Sequence, residues 1–274
     1  GRDLLLIAFV RAAGREPWLV VRFPHREGER PAPPIELPVP RETWQEVLDR
    51  SEAFDRTLAP RAADPAALDI CMHSWVYTIE ATDPAMPPAA AAKVRRRTED
   101  SCARGLTAAY AREVERLALP LVPWCAALDP AQHRNPATQL SDCRLLRGDR
   151  LAAAEVLNRA GALRQVENAR DAAGLFDFRA AVRWDGTERP RDLPAHEYWA
   201  RRAGEGGGST NFYFESVEGL SPYRVRLVGA LVRASGEPTV YARARVELEW
   251  TFASEGVFMI RSAVVGPWEV QSQR

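Results

Sequence analysis

The sequence predicts an α+β chain, with an N-terminal α/β lobe carrying long helices and a C-terminal domain built on a strongly bent antiparallel sheet. Three observations predict it. From Val240 to Phe252 every second residue is apolar (Val240, Ala242, Ala244, Val246, Leu248, Trp250, Phe252), while Tyr241, Arg243, Arg245, Glu247, Glu249 and Thr251 alternate with them. That period of two marks a long strand with one buried and one wet face. Two more strand-length runs, Tyr223 to Arg233 and Val257 to Val264, flank it across turn sequences Ser235-Gly236-Glu237-Pro238 and Ser254-Glu255-Gly256. In the first half, Val94, Cys102, Leu106, Ala109, Tyr110, Val114 and Leu117 recur at helical spacing, which predicts a helix from about Ala90 to Leu119.

Read in order, Leu4 to Val10 and Trp18 to Phe23 flank a Gly14-containing turn and predict a hairpin. Ile35, Leu37 and Val39 alternate within a proline-rich stretch, which confines that segment to a sheet edge. Arg41 to Phe54 reads as a helix presenting Trp44, Val47 and Leu48, and Leu68 to Ala81 as a strand with an irregularity near His73 and Ser74. Pro120 and Pro123 end the long helix, and Asn135-Pro136 opens a short one in which Leu140 and Cys143 share a face. Asp149 is placed to cap a helix running to about Ala160. Phe176 to Trp184 is a short helix or strand ending at the turn Asp185-Gly186; a helix with Tyr198 and Trp199 follows, and then a strand from Asn211 to Val217.

At 274 residues the chain has room for two lobes, expected over residues 1–147 and 148–274. Lys plus Arg and Asp plus Glu balance at 37 each, which speaks against a nucleic-acid binder relying on net positive charge. No run reaches the ~18 apolar residues of a membrane-spanning helix. Four cysteines, Cys71, Cys102, Cys125 and Cys143, allow three pairings; nearest neighbours, Cys71 with Cys102 and Cys125 with Cys143, are the pairing expected. An even count, with Gly1 where an initiator Met would stand, is expected of a processed, exported bacterial protein, periplasmic or secreted.

The helix from Asp149 to Ala160, the segment Val182-Arg183-Trp184-Asp185-Gly186 leading into a helix around Tyr198, and three long strands ending at Trp268 resemble, in order and texture, the nuclear-transport-factor-two-like superfamily. Polyketide cyclases and steroid isomerases share that α+β fold. The resemblance covers the C-terminal half and implies helices capping a bent sheet around a conical pocket. The N-terminal half resembles no family. Because the fold hosts enzymes, carriers and interaction modules alike, the resemblance does not select a function.

The inner face of the sheet is the expected pocket, tapering from small Ala242 and Ala244 to large Trp250, with Trp184, Tyr198, Trp199, Tyr213 and Trp268 completing an aromatic lining. The competing reading is that these aromatics fill a core. Acid–base chemistry of the isomerase, dehydratase or cyclase type would need a carboxylate or imidazole inside the cone, for which Asp177 and His196 are weak candidates. Cys71-Met72-His73 lacks the spacing of a zinc site, so no metal is expected. Gly204 to Gly208 lacks the Lys-Ser or Lys-Thr of a phosphate loop and precedes a strand, so no nucleotide cofactor is expected. The sequence thus favours non-covalent binding of a small apolar ligand, or of a protein partner or second copy, with a purely structural interaction module as the remaining alternative.

Overall fold

The computed structural model describes residues 5–12, 14–23, 33–57, 76–81, 95–100, 106–133, 136–164, 172–205, 209–235 and 239–271. The chain divides into two units, residues 1–122 with 135–137 and residues 123–134 with 138–274. Cys71 and Cys102, and with them the first expected bridge, lie outside the described residues, as do residues 68–75 and the glycine run 206–208.

In the first unit the expected hairpin is present. Strands β1 (Leu6–Val10) and β2 (Trp18–Arg22) pair antiparallel, and β3 (Ile35–Pro38) adds to the other edge of β2. Leu19 and Val21 on the central strand are fully buried, while the proline-bearing segment takes an edge, where a missing amide donor costs no ladder bond. Helix α1 (Arg41–Thr57) confirms the amphipathic reading. The long helix from Ala90 needs correction. Arg95–Asp100 is a strand, β5, pairing antiparallel with β4 (Val76–Ala81), and the helix, α2, spans only Leu106–Ala118. The partner that captures Arg95–Asp100 is the preceding strand, β4, and such a cross-strand pairing is not registered by helical spacing within the segment. On the solvent side Arg116 bridges Glu46 of α1 and Glu113 of α2 at 2.8 and 3.1 Å.

The second unit is organised by one mixed sheet. Its strands are β6 (Leu146–Gly148), β7 (Phe176–Trp184), β8 (Thr187–Glu188), β9 (Ser209–Ser221), β10 (Arg224–Ser235), β11 (Val240–Phe252), β12 (Phe258–Val265) and β13 (Glu269–Gln271). They run in the order β6-β9-β10-β11-β12-β7-β8, with β13 on β11. β9 to β12 form an antiparallel meander, while β6 joins β9, and β7 joins β12, in parallel. The expected strand Asn211–Val217 is longer at both ends. Asp185 and Gly186, at φ 48° and 75°, make the β7–β8 turn, the left-handed pair that an Asp-Gly hairpin supplies.

Three irregularities bend the meander. Relative to β10, Glu215 and Leu220 are extra residues in β9; relative to β11, Arg261 is extra in β12. Each extra residue switches which alternate positions face inward. In β9 the buried positions pass from Phe212 and Phe214 to Val217, and in β12 from Phe258 and Ile260 to Ala263 and Val265. At the same level β7 carries four residues between Phe176, opposite Ile260, and Ala181, opposite Ser262, which leaves Phe178 89% exposed.

Two helices cover the concave side. α5 (Arg150–Ala160) packs on β9 and β10 through Ala153, Ala154, Val156, Leu157 and Ala160, whose small side chains allow a close approach. Its N-terminus is capped as expected, the Asp149 carboxylate accepting from the Ala152 amide at 3.2 Å. α6 (Ala195–Gly204) packs on β7 and β9 and buries Tyr198 and Trp199. The Cys125–Cys143 disulfide, the second expected bridge, ties α3 (Pro123–Ala126) to the residue that follows α4 (Pro136–Asp142), with Cα atoms 5.5 Å apart. Gln139 is buried beside it and donates to the carbonyls of Cys125 and Leu128 at 2.9 and 2.8 Å. Asn158 ties this segment to α5, donating to the Ala127 carbonyl and accepting from the Asp129 amide.

The entry of α5 onto the sheet depends on a close backbone approach. Gly148 has φ +60°, and a Cβ there would lie 2.2 Å from the Gly219 carbonyl oxygen. Asp149 N donates to that same oxygen at 2.9 Å. Gly148→Ala is expected to cost about 1–3 kcal/mol through left-handed strain alone, and more from the contact. Denaturant unfolding should show a lower midpoint at unchanged slope; an unchanged midpoint would refute the close approach.

Candidate functional site

The inner face of β11 is as expected through its middle: Ala244, Val246, Leu248 and Trp250 are buried, while Arg243 and Arg245 are exposed. The ends differ. Val240 and Phe252 are 43% and 40% exposed, because the strand outruns the helices that cover its centre. Phe252 instead joins an edge-on aromatic contact with Phe258 and a tilted one with Tyr223. The outer face is an ion-pair lattice, with Arg226 to Glu218 at 2.5 Å, Arg224 to Glu249 at 3.6 Å and Arg243 paired with Glu215.

The middle of the concave side is filled. Leu227, Leu231, Val246, Leu248, Trp250, Ile260 and Ala263 have no solvent-reachable surface, so no water-sized space adjoins them. Trp199 sits at the hub of an aromatic cluster, 5.3 Å from Trp184, 5.7 Å from Phe176 and 6.3 Å from Phe212 between ring centres. Phe212 reaches over Gly229, where a Cβ would meet its ring at 2.6 Å. Of the expected lining, Trp184, Tyr198, Trp199, Ala244 and Trp250 are therefore core residues. Tyr213 is corrected to the outer face at 56% exposure, since the phase of β9 turns Phe212 and Phe214 inward. Ala242 and Trp268 are half-buried at one end of the sheet.

Among the described residues no carboxylate or imidazole faces the concave side. Asp177 is held on the outer side, its Oδ2 2.7 Å from Arg261 Nη1 and its Oδ1 accepting from the Arg179 amide at 2.8 Å. His196 lies in the first turn of α6, part-exposed, with Glu197 3.9 Å away. The indole N–H groups of Trp199 and Trp250 are buried and have no acceptor among the described residues; an indole donates and does not titrate near neutrality.

One charged side chain does lie on the inner phase. β10 runs Val225, Leu227, Gly229, Leu231, Arg233 at alternate positions, so Arg233 follows four inward residues. Its register partner is Ala242, itself opposite Val270 of β13, and paired residues share a face. The guanidinium lies 4.2 Å from the centre of the Trp268 ring. Nη2 donates to the Ala203 carbonyl near the C-terminus of α6 at 3.1 Å, and Nε points at Thr210 Oγ1 at 3.5 Å. Thr210 is buried and donates its hydroxyl to the same carbonyl at 3.1 Å. Burial pushes the Arg233 pKa below its ordinary value, opposed by Glu205 and assisted by Arg202. Glu205 is itself paired with Arg202. Among the described residues no carboxylate stands within ion-pair distance of Arg233. The open end of the concave side is thus a mouth formed by Arg233, Trp268, Ala242 and the exposed Val240 and Val270. Arg233 was missed as a site residue, although a charge on the apolar phase of a strand is a legible signal.

A second polar cluster is structural. The His133 side chain is 5% exposed, with Nδ1 2.8 Å from the Asp129 carbonyl and Nε2 3.2 Å from Asp142 Oδ2; Arg164 Nη2 is 3.3 Å from that oxygen. An acceptor at each nitrogen favours the imidazolium form, and neither nitrogen is free to serve as a base. The Asp142 hydrogen bond foremost, and the Asp129 carbonyl, raise the His133 pKa against burial and Arg164. Burial alone would raise Asp142, but His133 and Arg164 outweigh it and hold the carboxyl below its ordinary value. A raised histidine stabilises fully below its unfolded value of about 6.5 and loses that contribution as pH rises through its folded value. The Asp142 contribution is instead lost as pH falls through its lowered value. The stability gap between the wild type and His133→Gln is therefore expected to be widest between about pH 4 and 6.5 and to narrow at higher pH, as read by denaturant unfolding. A gap independent of pH would refute the imidazolium pairing.

The filled interior also sets the outcome at Ala244. Its neighbour in register is Leu231, and neither has room beside it. Ala244→Leu is expected to overpack and cost about 1–3 kcal/mol, lowering the melting temperature. This replaces the expectation of an empty volume at paired alanines; near-wild-type melting would restore it.

No family model matches the chain, and no curated protein sequence matches it. Solved structures do. An NTF-2-like protein of unknown function from Shewanella oneidensis MR-1 is 13% identical, covering 39% of this chain and 93% of its own at a TM-score of 0.31. A type 2 hexachlorocyclohexane dehydrochlorinase, LinA, is 13% identical over 46% of this chain and 90% of its own, with a TM-score of 0.35. The epoxide hydrolase/cyclase-like SalBIII, described in pyran ring formation in salinomycin, is 17% identical over 44% and 93%, with a TM-score of 0.32. The chain is α+β, and over about 42% of its length it is similar to solved NTF2-like structures.

Proposed function

We propose that the second unit is a non-covalent binding module that takes a small, largely apolar ligand at the open end of its concave sheet face, not in its depth. The observation that carries this reading is the mouth itself. Val240, Ala242, Trp268 and Val270 offer accessible apolar surface on the inner phase, beside a guanidinium oriented by a ring face, a helix-end carbonyl and a hydroxyl. Few well-placed polar groups amid apolar surface is the usual make-up of a ligand site. The interior gives no support to acid–base catalysis of the isomerase, dehydratase or cyclase type, because Asp177 is spent on Arg261 and His196 stands on a part-exposed helix turn. The filled aromatic core supports an interaction module without ligand as the second reading. The Cys125–Cys143 bridge supports an oxidising, periplasmic or secreted location.

Native mass spectrometry of the full chain purified from its own host tests the choice. A retained small-molecule adduct, lost in Trp268→Ala, is expected. Bare chain mass for the wild type would overturn the ligand reading, and a retained protein partner would favour the interaction module.

A further inference from the structure

Resting on that reading of the mouth, we infer that Arg233 is a carboxylate receptor and that the ligand is a small monocarboxylate with a flat or branched apolar body. The geometry supplies each part. A guanidinium placed on an apolar strand face carries a desolvation cost, and among the described residues no carboxylate stands within ion-pair distance to offset it fully. The nearest acid acting on it, Glu205, is already paired with Arg202. Trp268 holds the guanidinium plane from one side, and the Ala203 carbonyl and Thr210 hydroxyl fix its rotation. Those contacts occupy Nη2 and Nε. Nη1 has no hydrogen bond among the described residues and is the donor left for an incoming anion. One open guanidinium edge matches a monoanion better than a phosphate dianion, which draws several cations and backbone donors. The apolar body would lie across Ala242 and Val270, whose side chains share the face of Arg233. Donation to the end of α6 alone would account for Arg233 as a helix cap, but it does not account for the accessible apolar surface gathered around it.

The test titrates the full chain with phenylacetate and, separately, with neutral phenylacetamide, following the Trp268 indole N–H by NMR. Phenylacetate is expected to bind the more tightly, with an affinity that falls as salt is added. Arg233→Gln is expected to weaken phenylacetate binding about tenfold or more, the loss of one charge-assisted contact, while leaving phenylacetamide within about twofold. Should Arg233→Gln fail to fold, Arg233→Lys, which keeps the charge and loses the fork, is measured instead, and the wild-type preference between the two probes still decides. Equal binding of both probes would overturn the carboxylate inference and leave the apolar mouth standing. A wild-type preference for phenylacetate that survives Arg233→Gln would overturn the assignment to Arg233. Binding of neither probe would overturn both the inference and the reading beneath it.

Discussion

The second unit depends on a single constraint: a long antiparallel sheet must bend while keeping its apolar side chains on one face. A strand alternates with a period of two, so bending by inserting a residue inverts the alternation beyond the insertion unless the sequence inverts with it. Here it does. Past Glu215 the inward set of β9 moves from even to odd positions, and past Arg261 that of β12 does the same. Two of the three inserted residues carry charge and join the outer lattice, Glu215 through Arg243 and Arg261 through Asp177, while the third, Leu220, is an exposed apolar residue. At Glu215 and Arg261 bending and outer-face electrostatics therefore reside in the same residues. The exposed pairs themselves contribute little stability, and their use is to keep the inserted positions wet.

With the sheet bent, the two covering helices determine how deep a site reaches. α5 approaches closely because its inward face is alanine-rich and its entry runs over two glycines. The space between is then closed by large rings, Trp184, Trp199, Trp250, Phe176 and Phe212. Among the described residues this filling leaves no solvated acid or base in the interior, and the accessible polar side chain lies at the end of the sheet. There β10 and β11 outrun the helices, and the side chains on the inner phase change from Leu231 and Ala244 to Arg233 and Ala242. The gradient along the same two strands, from closed core to charged rim, places the mouth.

Much of this was legible in the sequence, and what was not has a physical reason in each case. The strands of the meander, the Asp149 cap, the Asp185-Gly186 turn and the Cys125–Cys143 bridge follow from local signals, because period, cap and turn chemistry act over a few residues. Arg95–Asp100 lies within a stretch of helical spacing, and only pairing with the preceding strand β4 makes it a strand. Tyr213 was placed inward because the phase of β9 depends on a bulge whose position is set by pairing with β10. At Ala244 the sequence shows a small residue on an inner face; whether a neighbour fills the gap depends on Leu231 and on the covering helices. Arg233 was legible in its strand alone, yet a terminal charge reads as the end of a strand until Ala242 and Trp268 are brought beside it.

Arg233 also links the mouth to the helix that closes the core. Its Nη2 donates to Ala203, one of the last carbonyls of α6, and Thr210 donates to the same oxygen, so both stand in for the amides a helix end lacks. The helix that presents Trp199 to the core is thus fastened at its far end by the group that faces the opening. An anion drawn to Nη1 would add its attraction to a side chain already ordered by three contacts, so little side-chain entropy remains to be lost on binding. Part of the cost of placing a guanidinium at a half-buried position is offset before any ligand arrives, through the Trp268 face and the helix carbonyl, while burial still holds its pKa below the ordinary value. The receptor and the helix fastening are one residue, which is why a charge persists on a face that is otherwise apolar along its length.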